Sequence, residues 1–126
     1  MLRSILIVGL GGFIGSTLRF LVTRWFQLQI ASQFPWGTFA VNIIGSFIIG
    51  LAFGLSERGN LLTPEWRLFI TVGLCGGFTT FSSLSNDAFL LLQGREFLSA
   101  SLYIALSIFL GLVAVFIGRL ITTQIL

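Results

Sequence analysis

At 126 residues, 56% apolar and only 9% charged, the chain is one domain at most and falls far below the roughly 25% charged residues of a soluble domain. That composition excludes a soluble enzyme, a disordered tail and, with Cys75 as the single cysteine, a disulfide scaffold or a zinc site. The net charge of +3 comes from Arg residues scattered singly, which form no nucleic-acid-binding stripe, and the absence of His removes the commonest general base.

A membrane helix needs roughly 20 mainly apolar residues, and charged residues punctuate this sequence at about that interval. The reading is an all-α integral membrane protein, a single domain over residues 1–126 with helices at approximately 4–26, 36–56, 65–92 and 97–124. The opening Met1-Leu2-Arg3 resembles a signal peptide, but the rest of the chain is just as apolar, so it reads as a retained first helix.

In the first helix, Gly9, Gly12 and Gly15 imitate a nucleotide-binding turn. That motif requires a strand–turn–helix context and an acidic residue some ~20 positions on, and no Asp or Glu appears before Glu57. Gly11 and Gly15 instead suit close helix–helix approach. Arg19 continues their stripe near the helix end, where it either snorkels to the interface or lines a hydrated vestibule that concentrates anions.

The second helix starts after Pro35 and carries Thr38, Asn42 and Ser46 at intervals of four, a polar stripe up one face. The amide of Asn42 needs partners that hydrocarbon cannot supply, so it must face another helix or a hydrated path.

The third span opens with Pro64, suited to a first helical turn. Its middle reads Gly76-Gly77-Phe78-Thr79-Thr80-Phe81-Ser82-Ser83-Leu84-Ser85-Asn86. A glycine pair beside two β-branched residues favours a break in the helix. Irregular backbone at membrane depth is tolerated only where it is buried in protein or lines a cavity. Carbonyls released there can hold a cation, and half-helix N-termini and hydroxyls can face an anion.

The fourth helix repeats the four-residue pattern with Ser99, Tyr103, Ser107 and Gly111. The two polar stripes are either interhelical glue or the walls of a conduit. Orientation depends on the Arg balance across the membrane. Arg3, Arg58, Arg67 and Arg119 fall on one side, against Arg19, Arg24 and Arg95 on the other. So slight a bias predicts insertion in both directions and an antiparallel dimer made from two oppositely inserted copies.

Taken together, Gly11-Gly12-Phe13-Ile14-Gly15-Ser16-Thr17-Leu18-Arg19, Trp36-Gly37-Thr38 with Asn42 and Gly45, Gly76-Gly77-Phe78-Thr79-Thr80-Phe81-Ser82, and Tyr103 with Ser107 resemble the Fluc (CrcB) fluoride channels over essentially the whole chain. The resemblance implies a dual-topology homodimer in the bacterial inner membrane, with two antiparallel pores that passively export F⁻ and relieve its toxicity. It also implies a structural Na⁺ at the dimer interface, held by the backbone carbonyls of Gly76 and Thr79 from both subunits. The implied fluoride path comprises Thr38, Asn42, Phe81, Ser83, Tyr103 and Ser107, with Phe81 presenting its ring and Asn42 donating, and Arg19 stands in the vestibule. The sequence departs from the family pattern at Leu84, where a second Phe is usual, and at Asp87, where a Glu is common.

Two rivals come from other classes. A small proton-coupled multidrug exporter needs a carboxylate inside the bundle, and the first helix has none. A non-conducting scaffold explains the glycine stripes but not the polar run at residues 76–85. No catalytic set is visible, so an enzyme is not expected.

Overall fold

The computed structural model describes residues 1–59 and 62–125. Four helices are long and apolar enough to cross a membrane: Leu2–Gln29, Trp36–Glu57, Pro64–Gln93 and Phe97–Ile125. Among the described residues there is no strand.

Their ends follow from local chemistry. Pro35 precedes the second helix. Thr63 caps the third span, its Oγ1 accepting the Trp66 N–H at 3.2 Å, with Pro64 in the first turn where a missing N–H costs nothing. The three-residue turn before the fourth helix closes with two bonds, from the Arg95 N–H to the Leu92 carbonyl and from the Glu96 N–H to the Leu91 carbonyl. This is the Schellman pattern, and it puts Arg95 at φ 62°, the left-handed position that glycine usually fills.

The third span is not uniform. It is α-helical over Pro64–Arg67, π-helical over Leu68–Cys75 and α-helical again over Gly76–Phe78. Thr79 (φ −91°, ψ 156°) and Thr80 (φ −156°, ψ 128°) are extended, and a helix resumes at Phe81. The two glycines stay helical, so the departure falls on the β-branched pair, whose branched side chains favour extended backbone.

Lipid tails offer no hydrophobic drive for helices to associate, so close backbone contact supplies the packing. The first helix lies on the third span through small residues. A Cβ on Gly11 would sit 2.8 Å from the Phe69 carbonyl oxygen, and one on Gly77 would sit 2.7 Å from that of Gly12. The second and fourth helices pair in the same way, with Gly50 against the Val115 backbone and Gly118 against Phe47 and Leu51. An aromatic and aliphatic cluster of Ala88, Leu91, Ala100 and Tyr103 then joins the end of the third span to the fourth helix, covered by Phe34, Phe39 and Leu84. Large apolar side chains such as Phe13, Leu98 and Phe109 remain exposed on the outer faces, as lipid-facing positions require.

Candidate functional site

In an unbroken helix the Thr80 N–H would bond the Gly76 carbonyl, the Phe81 N–H that of Gly77 and the Ser83 N–H that of Thr79. The extended pair redirects these bonds. The Thr80 N–H donates instead to Asn42 Oδ1 at 2.9 Å, while Asn42 Nδ2 donates to the Thr80 carbonyl at 3.2 Å. The Ser83 N–H goes to Thr80 Oγ1 at 3.2 Å, which caps the resumed helix. Arg19 Nε donates to the Gly77 carbonyl at 3.1 Å.

Side chains from the first and second helices therefore satisfy the carbonyls of Gly77 and Thr80. The carbonyls of Gly76 and Thr79 are left without their helical i+4 donors. Gly76 is exposed and Thr79 half-buried. Among the described residues no group of three or more His, Cys, Asp or Glu side chains is placed to hold a metal ion. The backbone oxygens at Gly76 and Thr79 are the donor type that a hard cation takes.

One side of this step opens into a cavity of about 240 Å³ lined by Asn42, Ser46, Ile49, Thr79, Thr80, Phe81, Leu84, Ser107 and Ile108. Ser107 is only 8% exposed and its Oγ has no hydrogen-bond partner among the described residues. A buried hydroxyl without a partner costs about 1–3 kcal/mol, so this one stands ready to donate. Asn42 carries two amide N–H groups and has committed one of them to Thr80. Ser46 donates its own proton to the Asn42 carbonyl at 2.7 Å. Phe81 is 80% exposed at the edge of the cavity.

The other side is a polar groove of about 430 Å³, lined among others by Ser16, Arg19, Thr23, Thr38, Ser83, Asn86 and Asp87. Arg19 Nη1 reaches Ser83 Oγ at 3.5 Å, and Asp87 sets a negative charge in the same groove. The Tyr103 hydroxyl donates to Asp87 Oδ2 at 3.2 Å, and its ring is fully buried, edge-on to Phe34.

The residues singled out from sequence thus separate into two spaces. Asn42, Phe81 and Ser107 share the cavity, whereas Arg19, Thr38 and Ser83 share the groove. Tyr103 lines neither, and its hydroxyl is taken by Asp87. Thr79 lies at the extended step and lines the cavity, and Gly76 lies in the helical turn just before it. Sequence reasoning did not place Ser46 or Asp87 in the site. The four-residue polar stripe carried the signal for Ser46, and a carboxylate inside an apolar span carried it for Asp87.

A family model described as CrcB-like protein, Camphor Resistance (CrcB), matches residues 6–119. Among curated relatives, the fluoride-specific ion channel FluC of Flavobacterium psychrophilum is 44% identical over 124 residues, covering 98% of this chain and all of that one. The protein of the same name from Thermus thermophilus is 51% identical over 113 residues, covering 90% and 88% of the two chains. That from Bacteroides fragilis is 46% identical, covering 98% of both.

Proposed function

This chain belongs to the CrcB-like family, and on that premise we propose that it is a fluoride-selective channel that passively exports F⁻ and lowers cytoplasmic fluoride. It is a multi-pass bacterial membrane protein and not an enzyme. The observation that carries the reading is Ser107, whose buried hydroxyl has no partner among the described residues and which lines the same cavity as Asn42, with its one uncommitted amide N–H. A small hard anion must exchange its water for donors; these two groups supply them, and no carboxylate lines that cavity. Phe81 adds the positive rim of its ring. Arg19, Thr38 and Ser83 form the wetter approach, and Tyr103 orders its inner wall through Asp87.

The functional unit we propose is an antiparallel homodimer in which the third span of each subunit is broken at Thr79–Thr80. Near-equal Arg counts on the two sides support dual insertion. Reporters fused to the C-terminus should then register on both sides of the membrane, and one Arg added at either end should shift the ratio. A fixed single orientation that ignores the added charge would end this reading.

At the dimer centre, the Gly76 and Thr79 carbonyls fit a structural Na⁺, because both lack their helical donors. Bound there, the ion would neutralise oxygens that hydrocarbon cannot satisfy.

The rival reading, a proton-coupled cation exporter, would have to rest on Asp87, which lies near the end of the third span. Fluoride efflux from proteoliposomes, compared with chloride, separates the readings. An exporter needs a proton gradient, and a non-conducting scaffold releases neither ion.

A further inference from the structure

We propose that Asn42 is a positioning residue whose carboxamide holds the Thr80 peptide in its extended form and thereby sets the sodium affinity of the site formed by Gly76 and Thr79. The proposal rests on the sodium reading above and goes beyond it by assigning control of the site to a side chain of another helix.

Both polar ends of Asn42 engage the backbone of one residue, with Oδ1 accepting from the Thr80 N–H and Nδ2 donating to the Thr80 carbonyl, at 2.9 and 3.2 Å. This is how a neighbouring strand would pair with an extended residue, reproduced by a single side chain. Without it, the Thr80 N–H would return to the Gly76 carbonyl four residues earlier and the helix would tend to close. Closure would also bring Thr80 Oγ1 away from the Ser83 N–H, which would then fall back to the Thr79 carbonyl. Losing the clamp therefore re-engages both carbonyls at once.

Two features keep Asn42 where it is. Gly45, almost one turn on, packs directly against the Thr79 side chain, so the second helix lies close to the extended pair. Val41, beside Asn42 in the chain, is fully buried. Asn42 also lines the cavity with Ser107, so the same side chain touches the anion path and governs the cation site.

The test is the sodium dependence of thermal stability in detergent, with fluoride flux as a second readout. In Asn42→Ala the sodium concentration at which stabilisation sets in should rise by about tenfold or more, as expected when two orienting hydrogen bonds are lost. Raising sodium should restore part of the flux. Should Asn42→Ala not fold, Asn42→Ser serves, since its hydroxyl cannot span both the N–H and the carbonyl of Thr80. In the wild-type protein the Thr80 amide should be strongly protected from hydrogen exchange, and free exchange there would overturn the proposal without any variant. An onset concentration unmoved by substitution in a sodium-dependent wild type overturns the clamp alone. A wild type indifferent to sodium overturns the cation reading and the clamp with it.

Discussion

Phe81→Ile should cut fluoride flux by up to about tenfold while leaving the protein folded. Phe81 is 80% exposed in the single chain, so replacing it opens no hole in that chain's own core. What it removes is the ring. An aromatic rim is positive and its face negative; edge-on pairs of rings are worth about 0.5–1.5 kcal/mol, and an edge contact to an anion on that scale is at its upper end close to tenfold in rate. Leu84 lines the same cavity but packs on the Tyr103 cluster and has no ring to lose. Leu84→Ile should therefore change flux much less, and Leu84→Phe should maintain or raise it. Flux per folded protein in liposomes at fixed sodium is the quantity to compare. Equal losses at both positions would show that packing explains the site, and wild-type flux in Phe81→Ile would remove the aromatic contact from the mechanism.

Gly15→Ala should destabilise the protein by about 1–3 kcal/mol or more, the cost of forcing an extra group into a packed interface. Propensity argues the other way, since Ala is favoured over Gly by about 1 kcal/mol inside a helix. Packing wins because the new Cβ would collide with the Leu74 carbonyl and lie 2.9 Å from the Phe78 backbone nitrogen. Neither neighbour is a side chain that can swing aside, so the first helix must part from the third span. Arg19 sits one turn beyond Gly15 and would be drawn away from the Gly77 carbonyl, coupling lost stability to lost function. Gly9 is the internal comparison. A Cβ there meets nothing within 4 Å, so Gly9→Ala should stabilise by up to about 1 kcal/mol. Melting temperatures of the two variants in one detergent decide the matter, and equal values would contradict the close-packing argument.

The contrast also shows what the sequence makes legible. Charges at helix-length intervals mark the four spans, because a lipid-facing helix tolerates few of them. Spacing of four residues reveals the Gly11–Gly15 and Thr38–Asn42–Ser46 faces. Periodicity identifies a face but not the element it meets. Asn42 finds its partner 38 residues away and Arg19 finds Gly77 58 residues away, pairings that only the packed bundle establishes. Phe81 and Ser83 look like one polar run in the sequence. On a helix, however, residues two apart point in different directions, and these two open into separate spaces. Thr79 and Thr80 are extended, and it is Asn42, on another helix, that receives the Thr80 N–H, a partner the local sequence does not name. The π-helical stretch Leu68–Cys75 has no comparable signature in its residues.

The most direct test of the central claim is anion efflux from liposomes that contain the purified protein at fixed sodium, with an electrode reading F⁻ in one series and Cl⁻ in another. A fluoride-selective channel predicts rapid F⁻ release without an imposed proton gradient, while Cl⁻ stays inside. Equal release of both anions, or F⁻ retained in liposomes shown to hold folded protein, would contradict it.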